Sequence, residues 1–316
     1  MLCMIHFVLI LNNGLNRLGG IKMNFGKVIT AMVTPIHPEK NVVCRKRIHA
    51  LVNHLIENGS DALVVSGTTG ESPTLSHDEK IKLFKEVVKA NDGRAKLIAG
   101  TGSNNTEETI RFTKEVAELG GYDAALIVAP YYNKPNQDGL YAHFKTIAEA
   151  SPLPIMIYNI PGRSVVNIEP ETIIQLSKLD NIVSVKESSG NLDNISKIIE
   201  ETADDFSVYS GDDSLTLPIL SIGGSGVVSV LSHVAGPDLQ DMIQLFENGE
   251  VKKAAEIHRK LLPLMTGIFA VPNPAPTKFL LREEGVDVGP VRLPLVDVNE
   301  EQADKLRLLY KEMKKS

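Results

Sequence analysis

Tryptophan is absent from the 316 residues, and phenylalanine and tyrosine together make up only 5% of them. Cysteine is nearly absent: Cys3, near an extreme end, and Cys44 are the only two. A disulfide framework is therefore excluded, and a reducing compartment, the cytoplasm, is expected. No long block of one charge sign occurs, and 33 Lys and Arg against 39 Asp and Glu leave a net charge of -6. This argues against nucleic acid or an anionic membrane surface as the main partner. The eight histidines are scattered, with no His-x-His pair, no HExxH and no cysteine cluster, so a metal site finds no support.

Membrane-length apolar runs are missing too. The stretch MLCMIHFVLIL at residues 1–11 is too short to span a bilayer. It also lacks the basic lead and small-x-small cleavage site of a secretory signal. Residues 1–23 read as an extension outside the fold, as a mis-chosen start codon upstream of Met23 would produce.

What is present repeats one grammar from residue 28: a short β-branched run, a polar break, then a longer amphipathic stretch. Eight strand candidates follow in order: VITAMVTP, ALVVSG, KLIAGTG, AALIVAP, PIMIYNIP, IVSVKES, FSVYSGDD and GVVSV. Between them lie helix signals such as the capping box Ser76-x-x-Glu79 and the closing pair Gly120-Gly121. Strands alternating with helices predict parallel pairing, and near-continuous apolar strands predict burial on both faces. Eight such units favour a (β/α)8 TIM barrel over residues 24–249. Three further helical stretches between proline-rich and glycine-rich turns predict a small C-terminal helical region, 250–316, packed on the barrel.

In such a barrel the chemistry sits at the C-terminal ends of the strands. There the sequence places GTTGES, PYYNKP, YNIPGRS, VKES and SGDD. Lys186, closing the apolar run of strand 6, is the most unusual residue. An ordinary strand-end lysine snorkels to water or pairs with a neighbour such as Glu187. An inward-pointing one cannot, and burial disfavours its ammonium form. A neutral lysine attacks carbonyls to form a Schiff base, which makes an enamine from a 2-keto acid. That chemistry needs no metal or other cofactor.

GTTGES lacks the Lys-Ser or Lys-Thr that completes a P-loop, and its hydroxyls, Thr68 and Thr69, suit a carboxylate better than a phosphate. Tyrosine is commonly a core residue with a wetted tip. Only seven tyrosines occur, however, so Tyr132 and Tyr158 at strand ends on the expected face of the lysine point to proton transfer. Arg163 could grip a second carboxylate in a bidentate pair.

Together these motifs, with VKESSGN completing the sixth, resemble the dihydrodipicolinate synthase family from about residue 24 to the C-terminus. That family belongs to the pyruvate-dependent Schiff-base aldolases of the N-acetylneuraminate lyase type. The resemblance implies condensation of pyruvate with L-aspartate 4-semialdehyde to 4-hydroxy-tetrahydrodipicolinate, on the route to diaminopimelate and lysine. It assigns Lys186 to the Schiff base and Tyr158, Thr68 and Tyr132 to a proton relay, with Tyr132 lent across a subunit interface. Thr69 would bind the pyruvate carboxylate, Val228 would line the pocket and Arg163 would meet the aldehyde's carboxylate. A homotetramer built as two dimers is implied.

A lysine-binding allosteric site known in some members matches at Ser72, His77, Asn104, Glu108 and Tyr131. Pro73 and Lys80 depart from it where sensitive members often carry alanine and histidine. An added positive charge at about 4 Å costs a cationic ligand about 1 to 4 kcal/mol, so weak or absent inhibition by lysine is expected. Two rival readings stand beside this one: a sugar-acid aldolase of the same superfamily, and a catalytically silent barrel that serves as a binding protein.

Overall fold

The computed structural model of the protein describes residues 23–315. The expected N-terminal extension lies outside the described residues except for Met23, which departs from that expectation by packing against the barrel's interior. Eight strands form a closed barrel in chain order: β1 (Val28–Ala31), β2 (Ala62–Val65), β3 (Lys96–Gly100), β4 (Ala124–Val128), β5 (Ile155–Asn159), β6 (Ile182–Glu187), β7 (Ser207–Ser210) and β8 (Gly226–Ser229). Every neighbouring pair is parallel, and β8 closes on β1. The (β/α)8 fold expected from the alternation is the fold observed.

Two hydrophobic shells explain why the strands carry apolar residues on both faces. Ile29, Val64, Ile98, Leu126, Met156 and Val228 fill the barrel, together with Tyr158 and Tyr209. Ile127, Ile157, Val185 and Val208 face the other way, into the larger layer beneath the helices. In a parallel barrel both sides of every strand are dry, so neither face can be polar without a specific reason.

The helices start and stop where the sequence marks them. Ser76 Oγ accepts from Glu79 N while Glu79 Oε2 accepts from Ser76 N, so both halves of the capping box form. Gly120 takes a left-handed φ of 71° just past the helix Thr106–Leu119. Beyond β8, the helix Ser232–Glu247 bends at Ala235, just ahead of Pro237. Helix Val251–Gly267 packs on it, and Glu300–Lys315 packs in turn on Val251–Gly267. Among the described residues no helix is long and apolar enough to cross a membrane.

His233 ties the ends of β1 and β8 together. Its Nδ1 donates to Val230 O at 2.8 Å and its Nε2 accepts from Val33 N at 3.1 Å, which fixes a neutral ring. Burial pushes its pKa down to about 4. Between the ordinary histidine value near 6.5 and about 4, the unfolded chain binds a proton that the native ring refuses. The stability supplied by the neutral ring is therefore complete above about pH 6.5 and is lost as pH falls toward 4. In urea titrations the stability gap between the parent and His233→Asn should narrow by on the order of 2–3 kcal/mol from pH 7 to 4.5. A gap independent of pH would contradict this.

Candidate active site

The site begins with a bulge. Ile155 pairs with Ile182, but the next residue, Met156, pairs with Ser184, so Val183 is an extra residue in β6. A bulge resets the alternation of the strand. Ile182 packs outward beneath the helices, and strict alternation would send Ser184 and Lys186 the same way. With Val183 inserted, Val185 takes the outward position and Lys186 turns inward, level with Tyr158 and Tyr209.

Lys186 is 6% exposed, and its Nζ lies 4.1 Å from the centre of the Tyr158 ring. Among the described residues no carboxylate lies within ion-pair distance of it. Glu187 is turned to the opposite face, where it accepts from Asn159 Nδ2 at 3.0 Å and Ser189 N at 2.6 Å. Burial raises the Glu187 pKa, against those hydrogen bonds. The ordinary alternatives for a strand-end lysine, solvent or Glu187, are thus both closed. Two buried hydroxyls, Ser184 Oγ and Ser188 Oγ, flank the amine along the strand without hydrogen-bond partners. Such atoms suit a polar ligand or water beside the amine.

A cavity of about 510 Å³ opens at these strand ends. Tyr158, Thr68 and Arg163 line it, and no acid among the described residues pairs with the Arg163 guanidinium. Thr69 and Val228 do not line that cavity; both are buried, Val228 inside the barrel. Thr69 Oγ1 accepts a 2.8 Å hydrogen bond from Asn273 Nδ2, in the C-terminal region. Glu71, in the same loop as Thr69, forms an ion pair with Lys278 at 2.5 Å, both side chains almost fully buried. Burial pushes the Lys278 pKa down, opposed by the Glu71 carboxylate.

Arg292 completes this foundation. Its backbone N–H donates to Glu71 Oε1 at 2.7 Å, and its guanidinium grips both oxygens of Glu79. That grip holds the Glu79 carboxyl down to about 2, so the capping residue is also an anchor for the chain's last quarter.

The profile of the dihydrodipicolinate synthetase family matches residues 24–313. The chain belongs to that family. A 4-hydroxy-tetrahydrodipicolinate synthase of Listeria monocytogenes serotype 4a is 77% identical over 293 residues, covering 93% of this chain and all of that one. A dihydrodipicolinate synthase structure from Bacillus anthracis is 49% identical with a TM-score of 0.89, covering 92% of this chain and 98% of that one. A lysine-bound structure of the enzyme from Cyanidioschyzon merolae gives the same identity, TM-score and coverage.

Two residues singled out in the sequence, Tyr132 and His77, are not among those that line the cavity. Tyr132 is 91% exposed and sits at a positive φ of 74° in the segment after β4. The resemblance to the dihydrodipicolinate synthase family had assigned it to a neighbouring subunit's site, and its exposure is compatible with that. His77 stands apart from Ser72, Asn104, Glu108 and Tyr131, which line the cavity together with Lys80. His77 pairs instead with Glu115 at 3.0 Å and packs against the Phe112 ring.

Sequence reasoning missed Asn273, Lys278, Arg292 and the bulge at Val183. It also missed Gly211, whose signal was the glycine in SGDD. A Cβ there would fall 1.9 Å from Ser188 Oγ and 3.0 Å from Lys186 Cε. Gly211→Ala should displace the lysine side chain and slow borohydride-trapped pyruvate adduct formation by about tenfold to a hundredfold. Mass spectrometry of the time course measures this, and an unchanged rate would exclude steric control at that position.

Proposed function

We propose that the protein condenses pyruvate with L-aspartate 4-semialdehyde to 4-hydroxy-tetrahydrodipicolinate, the first committed step toward diaminopimelate and lysine. The observation that carries this reading is the buried Lys186 amine, which has no counter-ion among the described residues and lies over the ring of Tyr158, itself part of the cavity's lining. The Listeria relative's name supplies the product.

In this mechanism the Lys186 amine adds to the pyruvate ketone, and water leaves to form a protonated imine. Loss of a methyl proton gives the enamine, whose terminal carbon attacks the aldehyde as the aldehyde oxygen gains a proton. The amino group of the semialdehyde portion then adds to the imine carbon, closes the ring and releases Lys186. Tyr158 and Thr68 move the protons, and Tyr132 of a second copy completes the relay. Thr69 binds the pyruvate carboxylate, Val228 closes the pocket beneath it and Arg163 receives the carboxylate of the aldehyde. The adduct on Lys186 takes the place of a cofactor.

The catalytic unit is then at least a dimer, arranged as a tetramer of two dimers in the cytoplasm. Residues 24–249 form the catalytic barrel and 250–316 a helical region that supports it. A sugar-acid aldolase would use the same amine, but the unpaired Arg163 at the cavity favours an aldehyde that carries a carboxylate close to its reacting carbon.

Borohydride with pyruvate should add one reduced adduct, mapped by mass spectrometry to Lys186, and Lys186→Ala should add none. In an aspartate-semialdehyde assay Tyr158→Phe should lower kcat by about 10²- to 10⁴-fold. Absence of the adduct in the parent would remove the enzyme reading. Use of a sugar-acid aldehyde in place of aspartate semialdehyde would favour the rival aldolase.

Inhibition by lysine should be weak or absent. Lys80 lines the cavity with Glu108, and burial lowers its pKa while the Glu108 carboxylate opposes the shift. Its amine lies 5.6 Å from the centre of the Phe112 ring. A cation already stands beside the carboxylate that a lysine ligand would seek, so half-inhibition at low micromolar lysine would contradict this prediction.

A further inference from the structure

We infer that Asn273, a residue outside the barrel, is a positioning residue that orients the Thr69 hydroxyl as a donor to the carboxylate of a 2-keto acid. The inference rests on the reading of the site given above and adds to it the residue that sets the direction of one hydrogen bond. Asn273 and Thr69 are 204 residues apart in the chain, yet both side chains are about 95% buried and meet at 2.8 Å.

Direction is what the contact determines. A threonine hydroxyl has one proton and two lone pairs, and rotates to suit its partners. Asn273 Nδ2 donates to Thr69 Oγ1, so a lone pair is engaged and the proton is left to give. Among the described residues no acceptor lies within hydrogen-bond reach of that proton. The amide itself cannot turn over freely, because Thr277 Oγ1 donates to Asn273 Oδ1 at 3.4 Å. A hydroxyl that accepts one hydrogen bond becomes a stronger donor in the next, so the arrangement polarises Thr69 toward an anion.

The loop is held for the same purpose. Glu71 is gripped by Lys278 and by the backbone of Arg292, both from the chain segment that carries Asn273. Thr69 and its orienting amide are therefore fixed to one support, and a shift of the loop relative to Asn273 would break the ion pair.

An isosteric change of donor to acceptor tests this. In Asn273→Asp the carboxylate would capture the Thr69 proton and place a negative charge near the bound keto acid. KM for pyruvate should rise at least about tenfold, while kcat and KM for aspartate semialdehyde stay within about twofold, the pattern of lost uniform binding. Asn273→Ala should raise KM for pyruvate less than Asn273→Asp does, and should add nothing further in a Thr69→Val background. Thermal unfolding of each variant separates this from a structural role, which would lower stability and raise both KM values together.

If the parent forms no pyruvate adduct with borohydride, the active-site reading and this inference fall together. If the parent forms the adduct but KM for pyruvate in Asn273→Asp stays within twofold, only the role of Asn273 is overturned. That role is likewise overturned if Asn273→Ala has its full effect in the Thr69→Val background.

Discussion

One inserted residue decides where the reactive amine points. In a parallel strand the side chains alternate with a period of two, so a slip of one position exchanges the faces. Val183 supplies that slip: Ile182 faces the helices, and four residues later Lys186 faces the barrel interior. The other features of the amine follow from this inward turn. Tyr158 lies level with it on the neighbouring strand, Gly211 leaves space for its stem, and Ser184 and Ser188 bring hydroxyls to its flanks. Without the bulge the same lysine would lie in the apolar layer under the helices, where a charge has no solvent and no ligand.

The second constraint is electrostatic and acts on the GTTGES loop, which lines the cavity with Tyr158. Burying Glu71 and Lys278 desolvates two charges, and such a pair roughly breaks even against apolar residues of similar volume. Removing one partner costs about 3–5 kcal/mol, because the other is left alone in a dry site. The pair is therefore better understood as specifying a position than as adding stability. It locks the GTTGES loop to the segment holding Asn273 and Arg292, and so couples barrel and C-terminal region at the active site.

Much of this was legible in the sequence because it is local. Strand and helix periods, the Ser76–Glu79 capping box and the clustering of unusual residues at strand ends depend on near neighbours, and they led to the barrel and to Lys186, Tyr158, Thr68 and Arg163. What escaped depends on pairing between distant segments. The bulge exists only relative to the register of β5, so IVSVKE alone does not reveal it. Asn273 and Lys278 belong to the second of the three C-terminal helical stretches and Arg292 to the segment after it, and nothing in the local pattern there marks a residue that reaches the active site. Their partners lie some two hundred residues away, where no sequence period can link them. The outward exposure of Tyr132 was not legible for a related reason: counting tyrosines near strand ends says nothing of how far a loop carries one away from its own barrel.

The tie between Thr69 and Asn273 also has a consequence in time. The chain is made from its N-terminus, so the GTTGES loop leaves the ribosome 204 residues ahead of the amide that orients it. At common rates of synthesis that interval is roughly 10–40 s. All eight strands have been made before Asn273 appears, and the barrel can begin to close while the loop still lacks its supports. The last quarter of the chain then acts as a keystone set late, completing the carboxylate site only when synthesis is nearly finished.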